Sequence, residues 1–61
     1  MKVSHLLRSY EAGTTRFDGV DLQGADLHHV TLIAVDFTDA NLIGVDLGRS
    51  FLTKTTLNGA R

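Results

Sequence analysis

From Phe17 onward every fifth residue is Leu or Phe: Phe17, Leu22, Leu27, Leu32, Phe37, Leu42, Leu47, Leu52 and Leu57. No member of this phase is missed, and the run spans most of a 61-residue chain. A spacing of five suits neither regular element. On an α-helix five residues advance about 500°, so the apolar positions scatter around the axis and form no stripe. On a continuous strand an odd spacing sends successive large side chains to opposite faces. The chain keeps every fifth residue inside only by turning once per repeat. Each repeat is then a short extended side plus a corner, and corners of one hand wind the chain into a coil around a narrow core.

A second register agrees. Two residues before each large one stand Thr15, Val20, Ala25, Val30, Val35, Ala40, Val45, Ser50 and Thr55, all small or β-branched. Residues two apart on an extended segment share a face, so each side points one large and one small group inward. The pairing fills a tight interior without voids. The residue just before the large one is Asp21, Asp26, Asp36, Asn41 or Asp46 in five repeats, and it must point outward. Gly19, Gly24, Gly44 and Gly59, two residues after the large one, mark corners, because a type II turn needs positive φ at its third residue. Phe17 and Phe37, Gly24 and Gly44, and Asp26 and Asp46 lie twenty apart, which predicts four repeats per coil.

With these residues in view the chain resembles the pentapeptide-repeat family, whose pattern is roughly A(D/N)LXX. The runs GADLH, DANLI and GVDLG carry it most clearly. The resemblance covers about residues 15–61. The opening HLLRSYEAGTTRFDG also resembles the N-terminal cap of many cyanobacterial members, which run close to LLxxYxxGxRDF, with Arg16-Phe17-Asp18 standing where those have Arg-Asp-Phe. Thr31, Phe51 and Thr56 depart from the outward Asp or Asn, and Ser50 and Thr55 replace the favoured Ala, so the last repeats are the least regular. The resemblance implies an all-β solenoid: a right-handed quadrilateral β-helix of about two coils over residues 15–61, with a short α-helical cap in residues 1–14.

The first residues follow a different period. Val3, Leu6, Leu7 and Tyr10 fall at helical spacing, and Gly13 follows as a stop, which predicts a helix from about Val3 to Ala12. Ser4 is a candidate N-cap, with no capping box, because Leu7 stands where the partner would be. A helix this short is marginal alone. Its expected role is to lay Leu6, Leu7 and Tyr10 over the first coil as a cap; a partner-binding helix is the alternative. At the other end Gly59-Ala60-Arg61 opens a further repeat. The last coil is expected to present Leu side chains and unpaired backbone to water. Three readings follow: a segment of a longer solenoid, an end-to-end homodimer through the C-terminal coil, or a small protein with a frayed end.

Composition narrows the function classes. There is no Cys, so no disulfide or thiolate metal site. Net charge is −1 and the six Lys and Arg are scattered, which gives no basic footprint for nucleic acid. No apolar run has the length of a secretory leader or a membrane span, so the cytoplasm is the expected compartment and no membrane partner is expected. No catalytic motif is present and a coil filled by Leu and Phe leaves no substrate cavity, which reads against an enzyme. No cofactor or metal is expected: His28 and His29 should point in different directions at a corner, with no carboxylate at ligand spacing.

Ile33, Ile43 and Phe51 fall at outward positions. With Asp26 and Asp46 as a polar flank they form the candidate interaction surface, Phe51 and Ile33 belonging to neighbouring coils of one face. Alternatively Phe51 folds over the open C-terminal end. The expected function is a non-catalytic scaffolding module for a protein partner the sequence does not identify. Some members of the family are DNA-mimicking rods that bind type II topoisomerases, but two and a quarter coils would span only about 11 Å, about three base pairs. Thr31, Thr53 and Thr56 are too irregular for a flat ice-binding face. Leu27 and Leu47 are both read as core, so a carboxylate at either is expected to unfold the coil.

Overall fold

The computed structural model describes all of residues 1–61. One helix, α1 (Val3–Glu11), precedes nine five-residue repeats that wind upward with four repeats to the coil. Parallel bridges twenty residues apart define the winding: Arg16 with Asp36, Asp21 with Asn41, Asp26 with Asp46, Thr31 with Phe51, and Asp36 with Thr56. The coil therefore has four sides. The first carries Phe17, Phe37 and Leu57, the second Leu22 and Leu42, the third Leu27 and Leu47, and the fourth Leu32 and Leu52. Each pairing is an isolated bridge, not part of a longer strand. The expected extended sides shrink to single bridged residues because a corner follows within two residues.

Backbone hydrogen bonds join the coils. The N–H of Leu22 donates to the carbonyl of Asn41 at 2.9 Å, and the N–H of Asn41 donates back to Val20 at 2.8 Å. The same exchange recurs at Phe17 and Asp36, Leu27 and Asp46, Leu32 and Phe51, and Phe37 and Thr56. A further bond beside each corner, such as Gly24 N–H to the Ile43 carbonyl at 2.8 Å, extends the ladder. All of these pairings span neighbouring coils, so the backbone is satisfied only when coils stack.

Every corner uses a left-handed residue two positions after the large one. Gly24 has φ +72° and Gly44 φ +70°, but His29, Ala34, Asp39, Arg49 and Lys54 adopt the same region at φ 55–61°. Most corners close with a bond from the following small residue, such as Ala25 N–H to the Leu22 carbonyl at 2.9 Å. The corners after Leu27, Leu32 and Leu52 lack that bond, and for the first two the next coil supplies a substitute. Ser50 Oγ donates to the Leu27 carbonyl and accepts from the Val30 N–H at 3.3 Å. Thr55 Oγ1 donates to the Leu32 carbonyl at 3.2 Å. The two residues that depart from Ala in the sequence thus have a job: their hydroxyls complete corners that do not close on themselves.

The core is a column of stacked side chains. Phe17, Leu22, Leu27, Leu32, Val35, Phe37 and Ala40 are buried, joined by Leu6 from α1. Phe17 and Phe37 stack in tilted fashion, ring centroids 6.0 Å apart. Val3, Leu7 and Tyr10 pack against the same column. Two local bonds end α1 and two more tie it to the coil. Its C-terminus is a Schellman stop, with Gly13 at φ +103°, Gly13 N–H on the Tyr10 carbonyl and Thr14 N–H on the Ser9 carbonyl. The Met1 amino group donates to the Asp21 carbonyl at 2.7 Å, and the Ile33 N–H donates to the Tyr10 hydroxyl at 3.0 Å. The N-cap is Lys2, with no side-chain bond; Ser4 lies inside the helix and caps nothing.

The far end is open. Leu47 and Leu57 point along the column yet are 36% and 46% exposed, and Leu42 and Leu52 are half-buried. Of the nine Leu and Phe read as core, Leu47 and Leu57 are therefore corrected to exposed, because nothing packs on their upper side, while Leu42 and Leu52 pack against the core half-buried. The body measures 24 × 20 × 20 Å, only slightly longer than broad, so it is no rod. No helix is long and apolar enough to cross a membrane.

Two predictions follow from this packing. Leu27→Asp places an unpaired carboxylate in a fully buried site, a cost of several kcal/mol, comparable with the whole stability of so small a domain. Its circular dichroism should show no cooperative melt, whereas Leu47→Asp, with water at hand, should still melt cooperatively. Ser50→Ala strands the Leu27 carbonyl and the Val30 N–H and should cost about 1–2 kcal/mol in thermal melts. An unchanged melting temperature would deny Ser50 its bridging role.

Candidate functional site

Function in this architecture has to be read from the outward side chains and the open end, because the interior is filled. The outward carboxylates first serve the backbone. Oδ1 of Asp21, Asp26, Asp36, Asn41 and Asp46 accepts the N–H two residues on, at 2.8–3.1 Å. These are Asx turns that lead each side into its corner. The Thr31 repeat lacks the carboxylate, and there Tyr10 of α1 takes the Ile33 N–H. The Arg16–Asp18 pair, 3.8 Å apart and largely exposed, adds little.

Two carboxyls are perturbed. The Thr38 hydroxyl, donating at 2.6 Å, and the Thr38 N–H hold the Asp36 carboxyl below its ordinary value of 3.8, with Arg16 assisting. The Gly48 N–H does the same for Asp46, and His28 adds to it.

The apolar residues singled out in the sequence do not form one patch. Ile33 and Phe51 lie on the fourth side, in neighbouring coils, whereas Ile43 lies on the second side, across the coil. Asp26 and Asp46 occupy the third side between them. Ile33, Ile43 and Phe51 are 49%, 50% and 68% exposed. Phe51 sits at the bridge position above Thr31 and leaves Leu47 and Leu57 uncovered, so it does not fold over the open end. Phe51, Leu47 and Leu57 all belong to the terminal turn of the coil, which gathers apolar surface at that end.

The histidines are placed differently from expectation. The His28 and His29 rings meet edge to face, centroids 4.0 Å apart. His28 Nδ1 lies 3.6 Å from Asp46 Oδ2 in the coil above. Ligand atoms of Asp26, His28 and Asp46 fall within 4.8 Å of one another, and all three residues are exposed. Local spacing hides this group. Asp26 and His28 are two apart, but Asp46 reaches them only through the twenty-residue stacking. One signal was available: Gly48 stands twenty beyond His28 in a register that elsewhere never carries Gly.

The one concavity is a shallow depression on the outer face of α1, lined by His5, Arg8, Ser9 and Ala12. His5 and Ser9 face it one helical turn apart, with no hydrogen bond between them.

Asp36 generates a pH prediction. Its pKa is lowered in the folded state, so its stabilising contribution is present above the ordinary value of 3.8 and is lost as pH falls through the lower folded value. Thr38→Val removes the hydroxyl donor and keeps the N–H. Carboxyl-detected NMR titration should then place the Asp36 midpoint higher, towards 3.8, and the melting temperature should fall less steeply with acid. An unmoved midpoint would show that the backbone bond alone sets it.

Comparison with known proteins agrees with the geometry. The pattern described as pentapeptide repeats matches residues 15–39 and 36–61, with 8 copies. An uncharacterized protein of Synechocystis sp. is 54% identical over 41 residues, which cover 67% of this chain and 12% of that protein. This chain thus spans a small fraction of its relative's length. The five-residue register, the twenty-residue stacking and the match over residues 15–61 place the chain in the pentapeptide-repeat family.

Proposed function

We propose that this chain is a non-catalytic protein-interaction or scaffolding module, with residues 1–14 capping a right-handed, four-sided β-helix of residues 15–61, acting in the cytoplasm. The open C-terminal turn is the observation that carries this reading. There the N–H groups of Leu47, Leu52 and Leu57 have no coil above to accept them. Leu47 and Leu57 are exposed beside them, with Phe51 at the rim. An unpaired β edge next to apolar side chains is a template for another edge. The partner it fits is a protein that stacks a further coil or edge on the column. A second copy of this chain is the simplest such partner.

A second reading has its own support. The Synechocystis relative is several times longer, and the aligned stretch is a small part of it. In that reading the chain acts as the capped terminal segment of a longer solenoid, and further coils cover the open turn. The DNA-mimic reading is less favoured. The body is only slightly longer than wide, and Asp26 and Asp46 gather around His28 instead of lining a continuous acidic surface.

Light scattering behind size exclusion, from micromolar to near-millimolar protein, tests the proposal. A discrete dimer is expected, and Phe51→Asp should weaken it by at least about 30-fold, the effect of losing an aromatic anchor worth 2 kcal/mol. Open-ended growth would favour the longer solenoid. A monomer at every concentration would remove self-association through this end.

A further inference from the structure

On the third side of the coil, His28 joins two outward Asp of the repeat, Asp26 and Asp46, in one grouping. Asp26 and Asp46 are stacked bridge partners, and His28 reaches up beside them from the lower coil. Their carboxylate oxygens and an imidazole nitrogen fall within 4.8 Å of one another. Both carboxylates are already oriented, since Oδ1 of each accepts a backbone N–H. Oδ2 of Asp46 is the atom that faces His28 Nδ1, at 3.6 Å.

Gly48 supplies a separate observation. Gly13, Gly19, Gly24, Gly44 and Gly59 all have positive φ, so backbone conformation accounts for them; Gly48 does not. Its register is filled elsewhere by Asp18, Gln23, His28, Ile33, Thr38, Ile43, Thr53 and Asn58. A Cβ at position 48 would lie 3.0 Å from Asp46 Oδ1 and 3.4 Å from His28 Nδ1. The missing side chain thus leaves the space into which the imidazole and the carboxylate converge.

We infer that Asp26, His28 and Asp46 form a binding site for a borderline divalent transition cation of the zinc class, bridging the two coils. One imidazole and two carboxylates suit such a cation, whereas calcium and magnesium favour fuller shells of oxygen. A tetrahedral zinc with bonds of about 2.0–2.2 Å holds its ligand atoms about 3.3–3.6 Å apart. The His28–Asp46 pair stands at that separation, and a carboxylate oxygen of the exposed Asp26 lies within 4.8 Å of both. The remaining coordination positions face water. Because the ligands come from two coils, the bound ion ties them together and stabilises the stack by mass action.

The test is isothermal titration of the 61-residue chain with zinc chloride, with thermal melts at matched zinc concentrations. One saturable equivalent is expected, together with a rise in melting temperature. His28→Gln and Asp46→Asn should each weaken binding at least about tenfold and remove the rise. Asn keeps the Oδ1 acceptor, so that variant preserves the turn and isolates the ligand. Gly48→Ala should weaken binding by crowding the ring, while His5→Gln and His29→Gln should bind as the parent does. Circular dichroism of each variant without zinc checks that the coil is intact. Binding that survives His28→Gln, or is lost with His5→Gln or His29→Gln, would overturn the site. So would the absence of saturable heat with millimolar zinc.

Discussion

A corner in the left-handed region at every fifth residue is the constraint on which the rest of this structure depends. It turns the chain before a strand can extend, and so keeps each Leu or Phe on the inside. The conformation is costly for an L-residue, of the order of 1–2 kcal/mol relative to an ordinary backbone. His29, Ala34, Asp39, Arg49 and Lys54 accept it without the help of glycine. They do so because leaving the corner would break the twenty-residue register, and with it both the backbone ladder and the column of Leu and Phe. Local strain is tolerated where the neighbouring coil over-determines the geometry.

Because each coil meets only its neighbours, the two ends decide how the column meets water. At the lower end α1 buries Leu6, and its Tyr10 hydroxyl and the Met1 amino group take backbone groups of the first coil. At the upper end nothing in the chain performs this service. The first coil is fixed by contacts above and below it, while the last is held from below alone.

The outward registers work by collation. Residues remote in sequence meet because twenty residues make one coil, so a side displays a column assembled from separate repeats. Asp26 and Asp46 are brought together this way, with His28 beside them. Ser50 reaches the corner at Leu27 by the same route. A rigid interior and an Asx bond at five of the repeats leave these side chains in defined directions.

Much of the fold was legible because the repeat is local. The five-residue phase, the small inward register and the outward Asp and Asn all follow from which residues can share a face and which must meet water. The helical period of Val3, Leu6, Leu7 and Tyr10 was legible for the same reason. Other features were not. Ser4 matched a cap by residue type, but the helix begins at Val3 and leaves it inside. Ile43 carried the same outward signal as Ile33, and only the winding puts it across the coil. By itself the sequence determined that the chain must turn every five residues, because no regular element buries that spacing. Tertiary structure alone decided which side chains meet and which core positions remain wet, because both depend on whether a coil lies above, and no single repeat contains that information.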